Sequence, residues 1–266
     1  MYDRYNRRIT YLRISVTDRC NLRCSYCVPA CGVRSLERHE VLSFEQIAEV
    51  ASAAVGMGIE KIRLTGGEPL VRKGIVRLVG QLATIPGLRV LGMTTNGLLL
   101  RRYATGLRAA GLDSINISLD TLDPLRFREL TRGGRIEDAI AGVDAAVAAG
   151  FAPIKINAVV DDQTDSNDLQ QLREFCLERG VQLQRIGRYR LDAAKPTYER
   201  LERPPQCSVC NRLRLTADGK LKPCLHSNTE IPIDFRDIED AICRAVSAKP
   251  AEGTVCTNRA MSAIGG

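Results

Sequence analysis

An open sheet of parallel strands crossed by helices, an α/β partial barrel of the (β/α)6 kind, is what this chain of 266 residues predicts. Two observations carry that expectation. β-rich runs of six to nine residues recur six times, each followed by a glycine, asparagine or polar turn. Helix-like segments separate them, and strand–helix–strand alternation is the mark of right-handed βαβ crossovers in one sheet.

The first strand is TYLRISV (10–16), followed by a cysteine-rich loop and a helix near 44–57, which Ser43 caps and Gly58 stops. IEKIRLT (59–65) ends in a Gly-Gly turn before a helix near 74–85. RVLGMT (89–94) leads to a helix near 98–110, stopped by Gly111, and SINISL (114–119) to one near 136–149, stopped by Gly150. APIKINAVV (152–160) precedes a helix near 167–179, with Asp168 as cap and Gly180 as stop, and QLQRIG (182–187) is the sixth strand. Each strand reads as apolar on both faces, as in a parallel sheet buried between layers. Six strands and five helices fall short of a closed eight-fold barrel, and in such folds ligands bind at the carboxyl ends of the strands. The rhythm breaks at DAAKPTYERLERPPQ, so residues 1–191 are expected to form the barrel, 192–206 a short linker, and 207–266 a small C-terminal region with more cysteines.

Hydrophobic content of 44% and 26% charged residues are those of an ordinary globular chain. No apolar run is long enough to span a bilayer, and MYDRYNRRIT is too polar for a secretory signal. Ten cysteines without such a signal argue against a disulfide framework and for the cytoplasm. The net charge of +7 points to an anionic partner. With 5% aromatics, no Trp and no aromatic-plus-basic platform, nucleic acid is not expected; a polyphosphate pocket or a solvated basic surface would each account for the charge.

DRCNLRCSYCVPAC holds Cys20, Cys24 and Cys27 at C-x3-C-x2-C, with Cys31 further on, directly after the first strand. All-thiolate ligation favours iron–sulfur or zinc. Four thiols would close a zinc knuckle; three would leave a coordination position open. In KIRLTGGEPLVRK, Gly66 and Gly67 allow close approach of the main chain to a ligand, and Glu68 can accept from an ammonium group. CNLRCSYC together with TGGEP resembles the core of the radical S-adenosylmethionine (SAM) enzymes. That resemblance implies a 4Fe–4S cluster on Cys20, Cys24 and Cys27 whose open iron is chelated by SAM. It also implies Tyr26 near the adenine, Gly66, Gly67, Glu68 and Pro69 at the methionine end, and Ser118 of NISLD as a further SAM contact.

QCSVCNRLRLTADGKLKPCL adds Cys207, Cys210 and Cys224. On spacing alone, zinc with His226 as fourth ligand and an open iron–sulfur cluster are equally good readings. CNRLRLTADGKLKPCL and the terminal MSAIGG are similar to the GTP 3′,8-cyclases, which begin molybdenum-cofactor biosynthesis. The resemblance implies a second 4Fe–4S cluster on these three cysteines that binds the guanine base. It implies GTP contacts from Arg13, Arg63, Thr94, Lys155, Arg212 and Arg214, a Gly265-Gly266 tail reaching the active site, a flavodoxin- or ferredoxin-type electron donor, and a homodimer. The radical comes from SAM, so no side chain is singled out as catalytic. Arginine forks and a lysine suit a triphosphate, and Arg212 and Arg214, flanking Leu213, point to one side of an extended segment.

Departures from that family are local. RIGRYR (185–190) has Arg188 and Arg190 where a Glu and a SAM-contacting Met are usual, the linker to Cys207 is short, and Cys31 follows the first triad. Two other readings therefore stand beside the cyclase: a diverged radical SAM enzyme acting on another nucleotide or anion, and a non-catalytic iron–sulfur protein. Cys31, Cys176, Cys243 and Cys256 fit no triad, with Cys176 in LREFCLERG reading as a small buried hydrophobe, and His39 and His226 show no acid–base pattern.

Overall fold

The computed structural model describes the chain except Ala30, Gln163, Tyr189, 194–205 and 265–266. β1 (Tyr11–Ser15), β2 (Lys61–Thr65), β3 (Val90–Thr95), β4 (Ser114–Ser118), β5 (Ile154–Val160) and β6 (Gln182–Gly187) pair in parallel, each beside its sequence neighbour. On the other side of β1 the sheet continues into β7 (Arg212–Leu215), parallel to it, and then antiparallel β8 (Lys220–Lys222) and β9 (Ile231–Pro232). The order β6-β5-β4-β3-β2-β1-β7-β8-β9 is an open barrel with the C-terminal region added to its β1 edge.

The strands are buried on both faces but apolar on only one, which corrects the sequence expectation. Leu12, Ile14, Ile62, Leu64, Leu91, Met93, Ile115, Ile117, Ile154 and Ile156 are at most 5% exposed and belong to the main hydrophobic core. The alternate positions are polar: Arg13, Arg63, Gly92 and Ser114 share one register row, which continues through Arg214 on β7. Period-two alternation puts one set against the helices and the other inside the barrel. Each Leu or Ile so buried contributes roughly 1.5–3 kcal/mol, so one aliphatic face is enough to hold the sheet.

The helices follow the expected order: α1 (Phe44–Gly56), α2 (Ile75–Ala83), α3 (Leu100–Ala109), then α4 (Pro124–Thr131), α5 (Ile136–Ala148) and α6 (Ser166–Glu178). Ser43 caps α1 in a capping box with Gln46. α6 is capped by Asp165, not Asp168; the latter lies one turn in, buried, paired with Arg126 at 2.7 Å. α4 was not expected; Asp123 caps it and Pro124 opens it. α7 (Ile238–Ser247) covers the C-terminal strands, and a short α8 (Met261–Ile264) follows. Cys176, 2% exposed, packs in the core as expected of a small apolar side chain. No helix among the described residues is long and apolar enough to cross a membrane.

Candidate active site

The first triad lies in the loop leaving the carboxyl end of β1. Cys27 N and Val28 N both donate to the Cys24 carbonyl (2.9 and 3.0 Å), turning the chain so that Cys24 and Cys27 are close. α4 supports this loop from outside: Arg23 N donates to Thr131 O, Ser25 N to Leu130 O, and Arg132 Nη1 to Val28 O, at 3.2, 2.9 and 3.0 Å. Cys24 and Cys27 are half-buried and Cys20 is exposed. Burial first, then the neighbouring Cys27, Asp120 and Cys20 groups, push the Cys24 thiol up to about 12; burial and then Cys20 push Cys27 up to about 12. Such mutual repulsion among thiolates disappears when a cationic group binds them. Cys31 is exposed, with its thiol near the Gly32 carbonyl.

The carboxyl ends of β2, β3 and β4 converge on this loop. Gly67 N donates to Thr17 O (2.7 Å) and Glu68 N to Arg19 O (2.8 Å). A Cβ at Gly66, whose φ is +153°, would be 2.5 Å from the Thr17 carbonyl, and one at Gly67 would collide with that of Arg19. The glycines are thus required by main-chain packing against the cysteine loop, a reason the sequence reading did not supply. Glu68, 1% exposed, accepts from Thr95 Oγ1 (2.7 Å), Asn96 N (2.7 Å) and Leu70 N (2.9 Å). Its carboxylate therefore ties β2 to β3, and burial, outweighing those hydrogen bonds, pushes it up to about 7. Pro69 opens a buried 3-10 turn, Pro69–Val71. Asn96 Nδ2 reaches Asn21 Oδ1 (2.8 Å) and Cys20 Sγ (3.9 Å), while Tyr26 donates to Asp120 Oδ2 (2.7 Å), two residues beyond Ser118. Arg188 pairs with Asp161 (3.1 Å) and Arg190 with Asp192 (2.7 Å). Asn96 and Asp120 were missed; their signal was the strand-end turns TTNG and SLD.

Inside the barrel the polar faces enclose a cavity. Arg13, Arg63, Thr94, Lys155, Arg212 and Arg214 all line it, together with Cys207, Cys210 and Cys224. Lys61 and Lys249 bring its basic side chains to seven, and no Asp or Glu is among the described residues that line it. Arg13, Arg63 and Arg214 sit side by side in one register row, where neighbouring strands are only about 4.8 Å apart and like charges repel. Arg63 lies across β3, donating to Tyr11 Oη (3.1 Å), Met93 O (2.7 Å) and Ser114 Oγ (3.2 Å), and Gly92 leaves room for it. Arg212 stacks over Tyr11 at 5.3 Å, and its buried Nε has no hydrogen-bond partner among the described residues. Asn116, Asn157, Gln184 and His226 also line the cavity. Asn116, Asn157 and Gln184 were missed because the strands read as apolar on both faces, and Lys249 had no periodic signal. Gly265 and Gly266 lie outside the described residues. The segment before them is anchored by Arg259, which grips Asp218 (2.7 Å) and Glu230 (2.8 Å).

Known proteins bear on this arrangement. The family model for the radical SAM superfamily matches residues 14–176. A GTP 3′,8-cyclase of Alkaliphilus oremlandii is 37% identical, with 100% of both chains covered, and a GTP 3′,8-cyclase 1 of Pseudomonas aeruginosa is 41% identical, covering 99% of this chain and 98% of its own. Those alignments run over 320 and 325 positions against a chain of 266, so the relatives carry positions that are gaps here. Among solved structures, Streptococcus suis SuiB bound to S-adenosylmethionine superposes with a TM-score of 0.70 at 16% identity, over 93% of this chain and 66% of that one.

Proposed function

The chain belongs to the radical SAM superfamily and, within it, to the GTP 3′,8-cyclases, and from that membership we propose that it converts GTP to the 3′,8-cyclised nucleotide at the start of molybdenum-cofactor biosynthesis. As a superfamily member it uses a 4Fe–4S cluster and SAM. The observation that carries the substrate assignment is the barrel cavity, with its seven basic side chains, no acidic one described, and the second cysteine triad in its wall.

The residues fit the groups they would hold. Cys20, Cys24 and Cys27 offer three thiolates beside the main chain of Gly66–Pro69, with Tyr26 held by Asp120. Bound there, a 4Fe–4S cluster and SAM would supply hydrogen-abstracting radical chemistry for the ribose C3′ of a GTP held in the cavity. Arg13, Arg212, Arg214 and Lys155 hold the triphosphate, and Arg63 braces the strand row through Tyr11, Met93 and Ser114. Cys207, Cys210 and Cys224 would hold a second 4Fe–4S cluster, whose open iron would offer the base a binding position. The chain's own contribution is positioning and exclusion of water around a radical. The reductant is a flavodoxin- or ferredoxin-type carrier, and the reaction is cytoplasmic.

Anaerobic incubation of the reconstituted protein with SAM, dithionite and GTP, followed by mass spectrometry, tests the proposal. It predicts both 5′-deoxyadenosine and the cyclised nucleotide. The replacement of the usual Glu and Met by Arg188 and Arg190 favours the second reading, a radical SAM enzyme acting on another nucleotide or anion; 5′-deoxyadenosine without cyclised GTP would overturn the cyclase reading and leave that one. Iron and sulfide counts distinguish two clusters from one cluster plus zinc.

A further inference from the structure

Lys249 lies just beyond α7 and is 2% exposed. Its ammonium has three N–H donors and three partners: Arg212 O at 2.7 Å, Pro223 O at 2.8 Å and Cys210 Sγ at 3.6 Å. None of these three partners is a carboxylate. A buried ammonium is costly unless an anion offsets it. The nearby groups able to become anionic are Cys207, Cys210 and Cys224, which share the cavity wall with Lys249.

The two carbonyls it holds belong to the segments that carry the triad: Arg212 is two residues after Cys210, and Pro223 directly precedes Cys224. The same loop presses on the triad elsewhere. A Cβ at Gly253 would be 2.8 Å from Cys224 Sγ. Arg7, buried and paired with Asp3 at 2.6 Å, donates to Cys207 O (2.8 Å), Pro250 O (2.6 Å) and Ala251 O (3.0 Å). All three donors of Lys249 go to Cys210 or to the segments that carry the triad.

We propose that Lys249 is the built-in counter-ion of the second thiolate set, donating to Cys210 and setting how readily the cluster bound there accepts an electron. This rests on the reading of Cys207, Cys210 and Cys224 as cluster ligands. A fixed positive charge and a hydrogen bond to a ligating sulfur both favour the reduced, more negative cluster and so raise its potential. Lys249 is a positioning residue, acting through Cys210.

The test uses the full chain with Cys20, Cys24 and Cys27 all replaced by Ala, which leaves only the second triad. Iron and sulfide are counted, and the cluster is then titrated anaerobically under electron paramagnetic resonance in the parent, Lys249→Met and Lys249→Arg forms. We expect iron and sulfide in all three. At a fixed applied potential the ratio of reduced to oxidised cluster should fall at least tenfold in Lys249→Met, about 59 mV for one electron, and stay near the parent's in Lys249→Arg. An unchanged ratio in a fully loaded Lys249→Met protein overturns the proposal. If Lys249→Met folds by circular dichroism but holds no cluster, retention by Lys249→Arg supports the charge role, and loss in both overturns it in favour of loop packing. A parent without iron and sulfide refutes the second cluster itself, before any Lys249 variant is compared, and the proposal falls with it.

Discussion

Glu68 shows how one side chain can belong to a binding motif and yet act as a joint. Its oxygens accept from Leu70 N, Thr95 Oγ1 and Asn96 N, so the β2 and β3 ends move as one piece beneath the cysteine loop. Its folded value, about 7, lies above the unfolded 4.5, so the stability it contributes is full below pH 4.5 and is lost as pH rises through 7. Urea unfolding of the apo protein at pH 5 and pH 8 should show that loss, and Glu68→Gln, which cannot ionise, should not share that part of the slope. A matching slope in the variant would assign it to other groups. The cavity arginines make a different prediction. Arg212 lines the cavity, and a hydrogen bond to a charged group is worth about 1.5–3 kcal/mol. Arg212→Met should therefore raise the KM for GTP roughly 10- to 100-fold while SAM cleavage without GTP is unchanged; steady-state kinetics on both products would detect a common loss instead.

Among the elements, α4 matters beyond its eight residues because its C-terminal turn carries the carbonyls that hold Arg23 and Ser25 of the cysteine loop. Asp123→Ala removes its cap, at a cost of about 1 kcal/mol, and should lower both the melting temperature and the rate of iron uptake; normal uptake would separate the helix from the loop. The tail is held comparably. Arg259 grips Asp218 and Glu230, and although burial raises both carboxyls, the hydrogen bonds from Arg259 hold them below their ordinary values. That contribution is full above the unfolded values of 3.8 and 4.5 and is lost as pH falls through the lower folded ones. Arg259→Met should destabilise the chain by roughly 1–3 kcal/mol at pH 7, a gap that closes in acid unfolding. These two elements also mark what a sequence discloses. The six parallel strands and five of the helices were legible from local patterning and stop glycines. α4 had its signal in Asp123-Pro124 but lay inside a stretch read as a connection. β8 and β9, three and two residues long, are too short to show a period. The strands' polar face was hidden because Arg13, Arg63 and Lys155 flank aliphatic residues and the whole strand is buried.

At the scale of the molecule, one sheet presents two sites built by different means. The first belongs to strand-end loops, and its three proposed ligands fall within eight residues, Cys20 to Cys27. The second is assembled by β7 joining β1, which brings Arg212 and Arg214 beside Tyr11 and Arg13 and sets the second triad at the cavity wall. The cysteines of that site were legible; Lys249 was not, because it lies 39 positions from the thiol it meets. Much of the chain's basic excess, +7 overall, is explained by the interior side chains of this cavity. The central claim is a division of labour, SAM cleavage at Cys20, Cys24 and Cys27 and substrate placement at Cys207, Cys210 and Cys224. Its most direct test is to quantify 5′-deoxyadenosine and cyclised nucleotide together in Cys210→Ala protein. The account predicts that SAM cleavage persists while the cyclised nucleotide is lost; equal loss of both products would contradict it.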